Sequence, residues 1–280
     1  MKRTNLLIFA LVILLIALGL AIYYQNKPVQ EETIQTLEPT PPPEPVKNPI
    51  VHYPVPEPVA EPAQPAATEE APEPPAEPVL PEQLPAVQES DQSIGEALAS
   101  LLQGKDFSDL LFLENFIQRF VATVDNLTEK RLPRAHLPVK PPAGKFIVAG
   151  TDDAPQTSSR NQQRYASYVT LLESLDQDAV IKVYSYFYPL FQTAYEQLGY
   201  QNAYFNDRLV FVIDHLLETP NPNDPLLLAQ PSVLYIYADP ALETLSSGQK
   251  VLLRIGQEQR SKVLEILEDY RRKLTSLHPK

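Results

Sequence analysis

The sequence predicts a mainly α-helical globular domain with one or two short strands, preceded by a transmembrane helix and a disordered linker rich in proline and glutamate. Three observations support this fold class. An uncharged apolar run lies near the N-terminus, residues 28–87 hold eighteen of the thirty prolines, and later segments repeat apolar residues with helical spacing. These features divide the chain into an anchor (1–27), a linker (28–87) and a helical domain (88–280).

The anchor prediction rests on residues 6–24, which are nineteen consecutive residues without a charge. At 1.5 Å per residue, a helix of this length spans roughly the 30 Å hydrocarbon core of a bilayer. Lys2 and Arg3 precede the run, and basic flanks stay in the cytoplasm. We therefore expect a single-pass membrane protein whose domain lies outside the cytoplasm. A cleaved signal peptide is the alternative.

The linker carries eleven glutamates and a single basic residue, Lys47. Each proline removes an amide donor and moves the preceding residue out of the α region, and few apolar side chains offset the entropy of ordering. We expect a solvated spacer that reaches roughly 190 Å when fully extended. Alternatively, a proline-containing piece docks on an aromatic groove of a partner, and Val51-His52-Tyr53-Pro54 is the best candidate.

The first half of the domain combines helices with short irregular stretches. A helix is predicted over residues 90–103, where apolar residues recur at helical spacing. A longer helix is predicted to begin between residues 106 and 108, because its apolar stripe continues as far as Val124. Residues 145–149 form the first strand candidate, and residues 151–159 are predicted to be a polar loop.

The second half of the domain contains the most periodic segment of the chain, which keeps one apolar face over five turns. Asp176 is its predicted N-cap and Gly199 its end. Residues 226–237 are predicted to be extended, because Val233, Tyr235 and Tyr237 recur at every second position. Further helices are expected from near residue 159, over 206–218, after Asp239-Pro240 and on both sides of Gly256.

Charge and residue content exclude several functional classes. Residues 88–280 carry 19 basic and 24 acidic groups, so nucleic acid is not an expected partner. There is no cysteine and the four histidines are scattered, so neither a metal site nor a cofactor is expected. Ser247 and Lys250 match the Ser-x-x-Lys pattern of serine acyl-enzymes, but the companion motifs are absent. No catalytic residue is therefore assigned.

One predicted helix carries a candidate binding site. Phe211 points nearly opposite to the core stripe, with Asp207 and Asp214 on one side and Arg208 and His215 on the other. Two carboxylates, an imidazole and a guanidinium group around an aromatic ring are typical of a binding site, or even of an acid/base site. The alternative is a second helix contact whose polar groups pair at its rim.

Several stretches of the domain are distinctive together, and they span nearly all of it. These stretches are residues 120–127, 137–141, 199–200 with 204–209, 212–217, and 230–231 through 237–240. They resemble a bacterial family of single-pass membrane proteins known only as a domain of unknown function. The resemblance implies an envelope protein with a cytoplasmic N-terminus, and it brings no catalytic residue. We therefore expect the bacterial inner membrane as the location, with the domain in the periplasm.

Two functions are compatible with these observations. The first is a non-enzymatic module, in which the tethered helical domain binds a protein or cell-wall partner in the envelope. The second is an envelope hydrolase that acts on peptidoglycan or peptide with carboxylates and His215. An enzyme requires several of these groups to converge in a concave pocket, whereas a binding module requires a flatter surface.

Overall fold

The computed structural model describes residues 51–56, 78–102, 109–133 and 136–277. Helices dominate these parts of the chain, which confirms the mainly α prediction. The predicted anchor, residues 1–27, lies outside them. Among the helices that are described, none combines the length and the apolar character needed to cross a membrane.

One 3-10 helix, eight α-helices and four short strands are found in the described residues. A 3-10 helix, Val87–Glu89, precedes the first α-helix. The α-helices are α1 (Asp91–Leu101), α2 (Phe116–Asn126), α3 (Arg160–Glu173), α4 (Gln177–Gln197), α5 (Phe205–Leu217), α6 (Pro240–Glu243), α7 (Ser247–Arg254) and α8 (Gln257–Thr275). The strands are β1 (Val148–Thr151), β2 (Ala154–Thr157), β3 (Leu228–Ala229) and β4 (Ile236–Tyr237), and they form two antiparallel pairs, β1–β2 and β3–β4.

The centre of the core is aromatic and lies where α2, α4 and α5 meet. Phe120 of α2 is fully buried, and its ring centroid lies 5.1 Å from that of Phe191 and 6.1 Å from that of Phe205. Phe191 and Phe205 stack on each other at 5.8 Å. Large aromatic rings in such contacts contribute much of the stability of a core. Helix α5 is therefore fixed by its buried side, and α8 packs along it.

Local sequence signals set the ends of the longest helices as predicted. The Asp176 carboxylate accepts a hydrogen bond from the Ala179 N–H (3.0 Å) and caps α4, which continues through Pro189. Gly199 follows α4 with a φ of 109°, and Gly256 separates α7 from α8 with a φ of 84°. Glycine is the residue best suited to such positive φ angles.

The predicted second helix is wrong over residues 109–115, because α2 begins at Phe116, while its predicted starts, Asp106 or Ser108, lie outside the described residues. The preceding residues pair with a later stretch of chain: Phe112 N donates to Pro138 O (2.8 Å) and Lys140 N donates to Leu110 O (2.9 Å). Asp91 then accepts hydrogen bonds from the first amides at the start of α2. Long-range backbone pairing has overridden the local helical pattern.

The strands also differ from the prediction. Residues 151–159, predicted to be a loop, contain β2, which pairs with β1 in a tight hairpin. Residues 226–237 are not one extended strand, because β3 and β4 within them pair with each other. Both hairpins are too short to give the long alternating pattern that marks a strand in sequence.

The predicted linker contains two stretches that contact the domain. In the first stretch, residues 78–87, Val79 N donates to Ser100 Oγ (3.1 Å), the Tyr186 hydroxyl donates to Pro81 O, and Val87 is buried. The packed region therefore includes residues before residue 88 that belong to the predicted linker. The second stretch is residues 51–56, hereafter the 51–56 segment, which lies against the start of α5.

Candidate functional site

The predicted site residues all lie on α5, but they serve separate contacts. Arg208 is buried and binds the end of α2: its Nε donates to Asp125 Oδ1 (2.8 Å), and its Nη2 donates to Asp125 O (2.6 Å) and Thr128 Oγ1 (3.1 Å). The other Asp125 oxygen accepts from the Tyr200 hydroxyl (3.1 Å). This buried ion pair ties α5 to α2, which is a structural role.

Phe211 and Asp214 lie on the outer side of α5. The Phe211 side chain is 39% exposed, and the Arg208 guanidinium carbon lies 5.2 Å from its ring centroid. Asp214 pairs with Arg271 of α8, and both side chains are about two-fifths exposed. The Phe211 face is therefore a solvent-facing strip beside an exposed ion pair, and not a second core contact.

His215 packs against the start of α7. Its Nε2 lies 2.9 Å from Ser246 Oγ, and the Ser246 hydroxyl also accepts from Gln249 N as the N-cap of α7. The Gln249 side chain donates back to His215 O (3.1 Å). Burial lowers the pKa of His215, which outweighs the opposite influence of Glu218. A neutral imidazole bonded to a capping hydroxyl fixes the contact between α5 and α7.

The titratable groups of α5 thus do not converge on one pocket. A cavity of about 340 Å³ lies elsewhere, beside the β1–β2 hairpin, and it is lined by Gln162, Asp224 and Arg254 rather than by residues of α5. In the parts of the chain that the structure describes, no three histidine, aspartate or glutamate side chains are grouped to hold a metal ion. Ser247 and Lys250 bind different partners: the Ser247 hydroxyl donates to Leu127 O, and Lys250 Nζ donates to the Glu243 carboxylate.

Asp207 instead binds the 51–56 segment. One carboxylate oxygen accepts from the Tyr53 N–H (2.7 Å), and the other lies 2.9 Å from His52 Nδ1. The Asp207 side chain is only 6% exposed and lies in the first turn of α5, where a negative charge is favoured by the helix dipole. Both oxygens of this buried carboxylate are therefore directed at an extended piece of chain.

Asn206 binds the carbonyl of Tyr53, the residue whose N–H donates to Asp207. Its Nδ2 donates to Tyr53 O (2.9 Å), with a longer contact to Leu274 O of α8 (3.4 Å). Its Oδ1 accepts from the Tyr184 hydroxyl (3.1 Å), and burial raises the pKa of Tyr184 so that this hydroxyl stays a donor. Because Tyr53 O and Leu274 O are both acceptors, the Asn206 amide bonds them through its N–H groups.

Ring contacts and apolar packing complete the site. The His52 imidazole lies over the Tyr204 ring with 3.9 Å between centroids and a tilt of 33°. Tyr53 and Val55 are half-buried against the core, whereas Pro54 is exposed. The site, hereafter the α5 groove, is formed by Tyr204, Asn206 and Asp207.

The contact between the two parts of this site was not predicted. The Val51-His52-Tyr53-Pro54 stretch was expected to be part of a solvated spacer, with docking on the aromatic groove of a partner as the alternative, whereas in the structure it contacts the domain of its own chain. Tyr204 and Asn206 were not among the predicted site residues. The available signal was that a histidine and a tyrosine interrupt an otherwise repetitive linker, while an aromatic, an amide and a carboxylate cluster at one helix start.

Comparisons with known proteins place the domain in a family. No curated protein and no solved structure matches the chain significantly. The model of one family matches residues 116–271, a range that includes α2 to most of α8 and all three residues of the α5 groove. The expected membership of a family known only as a domain of unknown function is thereby confirmed: the chain belongs to DUF3014, which is described as protein of unknown function.

Proposed function

We propose that this chain is a membrane-anchored cell-envelope protein whose tethered helical domain binds a protein partner through the α5 groove. The anchor is the uncharged run of residues 6–24, and the basic Lys2 and Arg3 orient it with the domain in the periplasm of a bacterium. The linker residues between the anchor and the domain let the groove search the space above the membrane.

The observation that carries this proposal is the way in which the groove holds an extended segment. Asp207 accepts the Tyr53 N–H, and Asn206 donates to the Tyr53 carbonyl. Domains that recognise extended peptides gain affinity from hydrogen bonds to the main chain of the peptide, and they gain specificity from pockets for selected side chains. A protein partner is therefore favoured over a cell-wall glycan, which has no peptide N–H and C=O in this register.

The hydrolase alternative receives no support from α5. Arg208 is held by Asp125, Asp214 by Arg271 and His215 by Ser246, so each group has its own partner in a different direction. Acid/base catalysis requires groups that reach one substrate atom together.

The exposed Phe211 ring extends the contact surface along α5. Phe211 lies one helical turn after Asp207, so a partner segment that continues past the groove reaches this ring. Arg208 covers one side of the ring and leaves 39% of the side chain accessible. An aromatic ring held in this way contributes contact area with little loss of conformational entropy.

A photoreactive phenylalanine analogue at Phe211 tests the proposed function in living cells. We expect irradiation to attach the full-length chain to one envelope protein, which mass spectrometry then identifies. The matched control carries the analogue at Leu198, which is also exposed (46%) but lies at the end of α4. The proposal fails if Phe211 gives no adduct, or if both positions give the same adducts.

A further inference from the structure

We infer that the 51–56 segment is a built-in occupant of the α5 groove, and that the partner displaces it with an extended segment of the same chemistry. This inference rests on the proposed function and specifies both the class of partner segment and the regulation of the site. It follows from three features: the hydrogen bonds to the main chain of residue 53, the contacts on either side of that residue, and the partial exposure of the segment.

The first feature is that the main-chain bonds do not depend on the tyrosine side chain. Asp207 and Asn206 bind the N–H and the C=O of residue 53, and any residue other than proline presents these groups when it is extended. The same two side chains can therefore hold the equivalent residue of another protein. Without an occupant, the Asp207 carboxylate and the Asn206 amide lose these partners.

The second feature is the selection on either side of residue 53. Pro54 follows it, and a residue that precedes proline is restricted to extended conformations. Tyr53 is therefore already shaped to present both main-chain groups. On the other side, the His52 ring stacks on Tyr204 and its Nδ1 reaches Asp207. The fitting partner segment thus carries a planar ring with a polar nitrogen, then one extended residue, then proline.

The third feature is that the segment can leave without unfolding the domain. His52 and Pro54 are exposed, and Tyr53 and Val55 are only half-buried. Elements with few buried contacts open locally at a small free-energy cost compared with global unfolding. The chain returns to the packed domain at residue 78, so residues 57–77 form the connection on that side.

The connection makes the segment a competitor for any partner. A covalent connection of this length holds the segment near the site at an effective concentration on the order of millimolar. A partner peptide must overcome that concentration, and its apparent affinity is reduced by the fraction of time for which the groove is occupied. Displacement also lengthens the tether: the docked state leaves residues 28–50 between anchor and domain, about 70 Å when fully extended, whereas the displaced state leaves residues 28–77, about 155 Å.

The test uses the full-length chain in lipid nanodiscs and a fluorescent peptide of residues 48–57 as the probe. The double variant His52→Ala and Tyr53→Pro removes the ring contact and both hydrogen bonds to Asp207 while leaving the groove intact. We expect this variant to bind the probe about tenfold more tightly than the unchanged chain, because the internal competitor is lost. Fluorescence anisotropy measures both affinities.

Two further variants, made in the double-variant background, separate specific binding from general effects. Asp207→Ala should abolish probe binding, whereas Asp214→Ala, which removes a carboxylate from the exposed side of the same helix, should leave it unchanged. Equal affinities in the unchanged chain and the double variant would overturn the inference, as would binding that survives Asp207→Ala. Either result combined with a Phe211 adduct in cells would leave the proposed function standing. A missing adduct with the expected probe binding would remove the proposed function and with it the displacement by a partner, and would leave the 51–56 segment only as an internal occupant of the groove.

Discussion

Replacing Arg208 with alanine is expected to destabilise the domain by about 3–5 kcal/mol, because it leaves a buried carboxylate without its cation. Asp125 keeps only the hydrogen bond from Tyr200, while its side chain is 13% exposed. The Asp125 carbonyl and the Thr128 hydroxyl also lose a donor. Thermal and urea unfolding followed by near-ultraviolet circular dichroism measure the loss, since eleven of the fourteen tyrosines lie after residue 88.

The matched control is Arg271→Ala, which breaks the exposed ion pair on the other side of α5. Arg271 and Asp214 are about two-fifths exposed, and solvent-exposed pairs contribute roughly 0–1 kcal/mol. A loss at Arg208 no larger than the loss at Arg271 would contradict its role as the link between α5 and α2. Partner binding is not needed for this measurement, so it isolates the structural role of Arg208 from the binding site.

Replacing Phe120 with alanine is expected to cost about 3–5 kcal/mol, the usual range for truncating a fully buried phenylalanine. Phe120 is inaccessible to solvent and contacts the rings of Phe191 and Phe205, so its removal leaves a cavity where three helices meet. The same unfolding measurements report the change. We expect the α5 groove to lose occupancy as well, because Phe205 sits beside Asn206 and Asp207 at the start of α5.

The control for Phe120→Ala is Phe211→Ala, which removes an identical side chain from the surface of α5. Phe211 is 39% exposed, so the stability loss should lie well below that of Phe120→Ala. If the two substitutions cost the same free energy of unfolding, the assignment of Phe120 to the core and of Phe211 to the surface would be wrong.

The features that sequence predicted well depend on local signals. Helix α4 combines a periodic apolar face, an Asp176 cap and a terminating Gly199 within about 25 residues of one another. The break at Gly256 between α7 and α8 is another such case, because the positive φ there requires little more than the glycine itself. Each of these signals acts through neighbouring residues, and tertiary contacts do not oppose it.

The features that sequence did not predict depend on distant partners. Residues 109–115 carry a helical apolar pattern, but backbone pairing with residues 138–140 delays α2 until Phe116. The α5 groove is the extreme case, since Tyr53 and Asn206 are 153 positions apart. Composition describes the 51–56 segment as part of a solvated linker, and only the folded domain supplies the carboxylate and amide that hold it.

The central claim is that the α5 groove holds the 51–56 segment, and a distance measurement tests it most directly. Because the chain has no cysteine, spin labels can be attached to two introduced cysteines at the exposed positions Val51 and Leu198. Pulsed electron paramagnetic resonance on the full-length chain then gives the distribution of distances between them. We predict one narrow distribution that becomes broad in the Asp207→Ala background. A distribution that is equally broad with and without Asp207 would contradict the claim.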